Sequence, residues 1–524
     1  MAVAGSAVGL GNFLRFPGLA AQYGSGAFMI AYFISLVLIG IPICWAEWTL
    51  GRYAGQKGFR SSAGIFYALI RHPAGKYIGA LGAIIPVTIY MYYVYVEAWC
   101  AGYAWAFLTG SLDLGKDPRA YTDFWRGFIG FHEDGLVMGA GGNQVVLFLV
   151  LVFVINFIVI YRGLSRGIET FCKFAMPALI VLALIILVRV LTLGTPDPSQ
   201  PDRNVLTGLG FMWNPGDVAH QLLNPQLWLA AAGQIFFSLS VGFGVIVTYA
   251  SYLSNRDDIV LSGLTASSAN EFCEVALGGM ITVPAAFIFL GAAGVVGQGT
   301  FGLGFNVLPV VLANMPLGQF FGFAFFALLF LAAITSSLSM LQPGIAFLEE
   351  GLGLNRKQSV TLLGAITALG CLFVVYFSKD IKALDTIDFW VGTFLIFVLA
   401  TVLIIVFGWV VGIETAWREA HRGAHLRIPD LFKGIIKYVS PIYLIGIFLL
   451  WVFFNVLGWN PQTGHWTPSS YVLDLVGGPD HPPSTVARLS VGVIAVVIVF
   501  ALLVTRAAGR RWDRIQNGQE ADSP

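Results

Sequence analysis

Long apolar runs broken by short polar loops set the pattern of this chain. Residues 145–161, 174–193, 392–411, 438–457 and 489–504 are almost uninterrupted hydrophobic stretches. A helix crossing ~30 Å of hydrocarbon needs about 20 such residues. On that rule the sequence predicts twelve spans, near 1–22, 26–52, 75–109, 143–161, 168–193, 226–253, 260–290, 318–349, 358–377, 384–410, 438–457 and 485–506. The expected fold class is therefore an all-α integral membrane protein, with 1–506 as one transmembrane domain and 507–524 as a cytoplasmic tail. Residues 1–14 have no basic stretch before their apolar part, so they do not resemble a cleaved signal peptide.

Composition agrees. Of 524 residues, 57% are hydrophobic and 11% charged, whereas a soluble protein carries about 25% charged residues. There are too few ionic groups to cover several water-soluble domains, and the hydrophobicity excludes a disordered chain. A net charge of +1 gives no basic face for nucleic acid. Basic residues orient the spans, because Lys and Arg stay on the cytoplasmic side. Loops after spans 2, 4, 6, 8 and 10, with the tail, hold 20 of them, against six in the opposite loops. Both termini are expected in the cytoplasm. The five cysteines are widely spaced in apolar stretches, so neither a disulfide framework nor a zinc site is expected. With no Asn-x-Ser/Thr sequon either, a bacterial inner membrane is the expected location.

Two glycine-bearing clusters stand apart from ordinary packing glycines. Gly5-Ser6-Ala7-Val8-Gly9-Leu10-Gly11 interrupts span 1, and Ser238-Leu239-Ser240-Val241-Gly242-Phe243-Gly244 interrupts span 6. Both contain Val-Gly-x-Gly and they lie five spans apart, so the two helices enter the membrane from opposite sides. Paired interruptions in inverted halves point to a transporter's binding site. Unwinding frees peptide N–H and C=O groups that cost several kcal/mol each unless satisfied. Half-helix N-termini suit an anion and freed carbonyls a cation.

The run Ala4-Gly5-Ser6-Ala7-Val8-Gly9-Leu10-Gly11-Asn12-Phe13-Leu14-Arg15-Phe16-Pro17 resembles the first-span signature of the neurotransmitter:sodium symporter (SNF) family. Glu47-Trp48 with Gly51-Arg52, Tyr92-Tyr93-Val94-Tyr95-Val96-Glu97 and Gly233-Gln234-Ile235-Phe236-Phe237 continue the likeness, as do Asn270-Glu271, Thr335-Ser336-Ser337 and Asp388-Phe389-Trp390. The resemblance covers almost the whole chain and is nearest to bacterial amino-acid members. It implies the LeuT-type fold: two inverted five-helix repeats, about 1–193 and 226–410, with helices 1 and 6 broken and helices 11 and 12 added at 438–506.

The family implies two co-transported Na+ ions. By resemblance, the first is held by Ala7 (carbonyl), Asn12, Ser238 and Asn270. The second is held by carbonyls of Gly5, Val8 and Ala332 with the hydroxyls of Thr335 and Ser336. Neutral oxygens of this kind suit a hard cation. Read singly, Thr335 and Ser336 are hydroxyls bonding the preceding turn. Between the ions, Leu10 and Gly11 N–H groups and the Tyr93 hydroxyl would receive a carboxylate. Carbonyls of Ala7, Phe237 and Ser238, with the Ser240 hydroxyl, would receive an ammonium. Ile89, Tyr93, Phe237, Phe243 and Met340 would line an uncharged side-chain pocket, which favours a small or medium apolar side chain. Monoamine carriers of the family have an acid where this chain has Gly9, so the substrate is expected to bring its own carboxylate.

Charges inside the bilayer need a reason, at a cost of at least ~2.5–3.5 kcal/mol each. By resemblance Arg15 and Asp388 pair as an outer gate above a Tyr93–Phe237 lid. Glu274, one helical turn after Asn270, takes the place of the chloride bound by other members, with Tyr32 and Gln234 beside it; transport is expected to be chloride-independent. Glu47 and Glu97 are expected to brace helices. Four residues precede Gly5, so the family's cytoplasmic arginine and tryptophan latch is not visible, and Glu350, its acidic partner, is left without a mate.

The expected activity is thus sodium-coupled symport of an apolar amino acid by alternating access, not an enzyme reaction, with self-association into a homodimer left open. The competing classes are a channel, for which no filter-like motif is present, and a non-transporting homologue acting as an amino-acid sensor or receptor. A membrane enzyme finds no support in seven histidines that all lie in loops or at span ends.

Overall fold

The computed structural model describes residues 2–70, 72–139, 144–214, 216–460 and 464–517. Met1, Arg71, the first residue of the fourth expected span and the tail beyond 517 lie outside the described residues. Nearly everything described is helix; two-residue strands, Trp459–Asn460 and His465–Trp466, make the single small hairpin among them.

Among the described residues, ten helical segments are long and apolar enough to span a membrane, two of them kinked, at Gly291 and at Asp380–Ile381. They are Gly26–Gly55, Ala74–Leu108, Gln144–Tyr161, Leu164–Leu191, Ile259–Val295, Gly318–Leu352, Arg356–Tyr376, Lys379–Val410, Leu431–Val456 and Thr485–Gln516. Each overlaps one expected span. The two expected spans missing from this set are 1–22 and 226–253, the two that carry the glycine clusters. Polar caps mark several helix starts: the side chains of Asp117, Asn204, Asn224, Asp258 and Ser484 each accept from a backbone N–H of the first turn. Asn355 and Gln358 form a reciprocal capping box.

Ala74–Leu108 and Gly318–Leu352, spans 3 and 8, are the most enclosed helices and pack along each other as the central axis. Leu431–Val456 and Thr485–Gln516 are the least enclosed and present apolar side chains such as Ile442, Leu449, Val496 and Leu503 outward, as lipid-facing helices do. The last helix runs on past 506 to Gln516, where Trp512 is fully buried. The start of the expected tail is therefore a docked helical end.

Glycines let spans 2 and 6 approach at backbone distance. A Cβ on Gly51 would sit 2.2 Å from the Val247 carbonyl oxygen, and one on Gly55 2.1 Å from that of Ser251. Wide π-helical turns at Gly11–Arg15, Phe272–Gly279 and Asp388–Leu395 carry Asn12 and Arg15, Glu274, and Asp388 respectively. Such turns re-aim side chains and gather at functional sites.

Candidate functional site

Span 1 is helical over Ala2–Ala7, leaves the helix at Val8 and Gly9, and resumes through Gly11–Arg15 and Phe16–Gln22. Span 6 is helical over Pro225–Leu239, then passes through Ser240 (φ 54°), Gly242 (φ 76°) and Gly244 (φ 78°) before helix Val245–Ala250. The left-handed backbone at 242 and 244 is what glycine permits without strain. The two breaks meet: the Ser240 hydroxyl donates to the Ser6 carbonyl at 2.9 Å. Glu47, from span 2, accepts the Gly242 N–H at 2.7 Å. It satisfies a freed peptide donor inside the break, a role more specific than the bracing expected of it. Glu97 does brace, accepting from Asn156, whose oxygen in turn accepts from Ser337.

The expected first ion site converges. Gly9 N–H donates to Asn12 Oδ1 at 2.8 Å, which turns the Asn12 nitrogen toward Asn270. The Asn270 atom facing that nitrogen at 2.8 Å is therefore its oxygen. This oxygen also lies 3.0 Å from the Ala7 carbonyl and 3.1 Å from the Ser238 carbonyl. Three acceptor oxygens crowd one point with no donor among the carbonyls, an arrangement that a cation relieves. Two details differ from expectation. The Asn12 oxygen is engaged by Gly9, and Ser238 offers its carbonyl, because its hydroxyl donates to Glu274.

At the second site, Thr335 Oγ1 donates to Leu331 O at 3.0 Å and Ala332 O at 3.1 Å, so the preceding-turn bond is made while the hydroxyl's lone pairs stay open. Ser336 Oγ donates to Ser6 O at 3.3 Å and Gly5 O at 3.5 Å. Gly5 lies against Thr335, where a Cβ would come within 3.3 Å of the Thr335 Cβ, and Val8 is fully buried beside them.

Between the two, Tyr93 Oη accepts from Leu10 N–H at 3.4 Å, leaving the phenol proton free to donate. Gly11 borders open space, with only Gln234 Nε2 within reach of a Cβ, at 3.8 Å. A Cβ on Gly9 would meet Ser336 Oγ at 2.8 Å and Tyr93 Oη at 3.3 Å, so that position faces these two hydroxyls. Phe243 packs edge-on to Phe237 at 5.5 Å, and Ile89 and Met340 are buried.

The outer gate is arranged differently from the expectation. Arg15 lies over the Phe237 ring, 3.8 Å from its centroid, and no ion pair joins it to Asp388. Asp388 instead accepts from the Tyr92 hydroxyl at 2.6 Å. Phe237 pairs with Phe243 and not with Tyr93, so neither contact of the expected closed gate is made. Glu274 is fully buried and accepts from Gln234 at 2.7 Å, Asn12 at 3.2 Å, Asn270 at 3.4 Å and Ser238. Tyr32 lies beside both Glu274 and Glu271 and donates its hydroxyl to Glu271 at 2.8 Å. Glu350 has mates after all: Ser61, the Arg60 N–H and Trp512.

A broken-helix membrane carrier with an oxygen-lined centre is the class that this fold and site define. The profile of the Sodium:neurotransmitter symporter family matches residues 1–123 and 113–467, and the chain belongs to that family. Its members are transporters and not enzymes. An uncharacterized sodium-dependent transporter of Haemophilus influenzae is 28% identical over 470 residues, covering 86% of this chain and 95% of the relative. Another, from Methanocaldococcus jannaschii, is 28% identical over 465 residues, covering 86% and 88%. Among solved structures, MhsT in complex with L-phenylalanine superposes with a TM-score of 0.72 at 28% identity, covering 86% of this chain and 97% of MhsT. The protein is a sodium-dependent, multi-pass membrane transporter with the LeuT-type fold.

Proposed function

We propose that the chain carries an α-amino acid with an apolar side chain into the cell together with two sodium ions, without a need for chloride. The observation that carries this reading is the cluster of Ala7 O, Ser238 O and Asn270 Oδ1 at the junction of the two breaks. The second ion is assigned to Gly5, Val8, Ala332, Thr335 and Ser336, which span 8 and the start of span 1 bring together, the Ser336 hydroxyl lying 3.5 Å from the Gly5 carbonyl. The carboxylate is assigned to Leu10, Gly11 and Tyr93, the ammonium to the carbonyls and hydroxyl around Ser238 and Ser240. Gly9 supplies no acid, so the substrate's own carboxylate completes the site. The L-phenylalanine in MhsT supports an amino acid with an uncharged side chain, and the bulk of Ile89 and Met340 favours aliphatic ones.

The inverted halves 1–193 and 226–410 would rock about this centre, helices 11 and 12 standing outside. Two sodium ions, each at ~2.3 kcal/mol per 100 mV and ~1.4 kcal/mol per tenfold gradient, supply roughly 7 kcal/mol. That is enough to concentrate a zwitterion by about five orders of magnitude. Glu274 supplies the negative charge beside the first ion while sodium is bound and takes up a proton on the sodium-free return, which reduces the electrical part of that drive.

The test is equilibrium binding of the neutral amino acids to purified protein in sodium and in choline, each with chloride or gluconate. Sodium-dependent saturation by leucine, isoleucine, valine or phenylalanine, unchanged by gluconate, is expected. Binding that ignores sodium, or prefers amines lacking a carboxylate, overturns the reading.

A further inference from the structure

Spans 4 and 5 close on each other at their shared end, on the side that the basic loops assign to the cytoplasm. Helix Gln144–Tyr161 stops before Arg162, Gly163 (φ 87°) turns the chain, and span 5 opens with a wide π-helical turn, Leu164–Glu169. A Cβ on Gly167 would lie 2.1 Å from the Val159 carbonyl oxygen, so the two ends touch through backbone. Beside this contact a groove of about 410 Å³ runs along span 5 to Leu331 of span 8. Phe171, Phe174, Ala178 and Leu331 make its walls apolar, while Arg162 and Arg166 stand at its mouth.

Both arginines are exposed, and among the described residues neither guanidinium has an ion pair or a hydrogen-bonded partner. The nearby acids are engaged elsewhere: Glu169 pairs with Lys173 at 3.0 Å and Glu349 with Arg356 at 3.8 Å. Among the described residues no carboxylate lines the groove. Retention of basic residues on the cytoplasmic side accounts for this charge, but not for the cavity beside it. From Arg166 to Ala178 the helix climbs ~18 Å at 1.5 Å per residue. One leaflet is ~15 Å deep, half of the ~30 Å hydrocarbon core. That depth decides the kind of ligand. A free anion would fill only the mouth, whereas a phospholipid sets its phosphate between the guanidiniums and an acyl chain along Phe171, Phe174 and Ala178.

We infer that this groove is a binding site for an anionic phospholipid, its phosphate held by Arg162 and Arg166 and one acyl chain lying against spans 4, 5 and 8. Guanidinium forks match phosphate oxygens in both geometry and charge, and basic pockets between membrane helices on this side suit anionic headgroups. A zwitterionic headgroup fits less well, because the groove has no acid to receive its ammonium. The floor connects the lipid to the second ion site. Leu331 lines the groove, and its carbonyl accepts the Thr335 hydroxyl at 3.0 Å. A bound lipid thus braces the back of the helix whose front carries Thr335 and Ser336.

The experiment is native mass spectrometry of the full chain in detergent, offered equal amounts of phosphatidylglycerol and phosphatidylcholine with the same acyl chains. The chain should retain one phosphatidylglycerol in preference to phosphatidylcholine by roughly ten- to thirtyfold, about fivefold for each arginine. R162A/R166A should bring the two lipids to parity. A178W, which keeps both arginines and fills the groove, should lose the preference as well. R418A/R427A removes the same charge from the loop between spans 10 and 11 and should change nothing. Equal thermal midpoints in lipid-free detergent show that the variants are folded; should the double arginine variant fail there, R162Q and R166Q, each expected to lose about fivefold, decide with A178W. A preference that survives either the arginine variants or A178W overturns the site. So does an equal loss in R418A/R427A, or displacement of the lipid by inorganic phosphate.

Discussion

Glu274 and Gly9 are the single residues whose replacement is expected to change the ligand chemistry. Glu274 collects donors from Gln234, Asn12, Asn270 and Ser238 at one point. Shortening it to serine leaves those donors aimed at an uncompensated space beside the first ion. E274S should therefore become chloride-stimulated in a sodium-driven uptake assay, and uptake unchanged between chloride and gluconate would count against the assignment. At Gly9, an aspartate would enter the space bounded by Ser336 Oγ and Tyr93 Oη, with the Ser336 hydroxyl rotating away. G9D should weaken amino-acid binding by about tenfold or more, ~1.4 kcal/mol, as its carboxylate competes with the substrate's. Competition binding against an amine of the same side chain checks this, and the ratio should move toward the amine. Both assignments come from the family resemblance at these positions. The hydrogen bond from Gly242 to Glu47 was not legible in the sequence, since nothing local to Glu47 announces a peptide group 195 positions away.

At the scale of elements, the breaks in spans 1 and 6 were visible as glycine clusters, and the continuous spans as apolar runs. What the runs concealed is how close the helices come. Sixty-one glycines are counted easily; which of them touch backbone is decided by partners. Gly51 against Val247 O at 2.2 Å leaves no volume for a methyl group. G51A should push spans 2 and 6 apart, costing about 1–3 kcal/mol of stability as overpacked sites do. Thermal unfolding in detergent is the measurement, with a lowered midpoint and reduced uptake expected; an unchanged midpoint would mean that the two helices are not held at this distance. Span boundaries were off where a helix continued into a loop, as at Thr485–Gln516. A hydropathy pattern ends where the charges begin, but a helix continues while its side chains find partners, as Trp512 does.

For the whole molecule, the loop before the last helix adds a feature that no apolar pattern could reveal. Asp474 on the short helix Ser470–Val476 accepts from Lys382 at 2.8 Å and His481 at 2.8 Å, tying this loop to the start of span 10. Burial alone would raise its carboxyl, but the hydrogen bonds and charges of Lys382 and His481 outweigh that and hold it below the ordinary carboxylate value. A lowered acid stabilises the docked form fully above its free value, and the contribution is lost only as pH falls through the lowered one. Docking should therefore be constant from neutral pH down to about 4 and be lost below it. Hydrogen exchange of 464–484 across pH, corrected for intrinsic rates, reads this out; release between pH 5 and 7 would sink the assignment, and D474N should release the loop at neutral pH.

The chain's apolar runs determined that it lives in a membrane and roughly where it crosses, and its glycine clusters which two helices must break. Motif residues near those breaks carry the proposal for the cargo, because a freed carbonyl or an absent acid has the same chemistry wherever the backbone runs. The tertiary structure alone decided the pairings. Arg15 lies on Phe237 while Asp388 turns to Tyr92, Tyr32 chooses Glu271, and Glu350 is met by Ser61 and Trp512. Hydrophobic burial is non-directional and can be read from composition along a line. Hydrogen bonds and ion pairs depend on a few tenths of an ångström between residues distant in sequence, and that geometry exists only once the helices have packed.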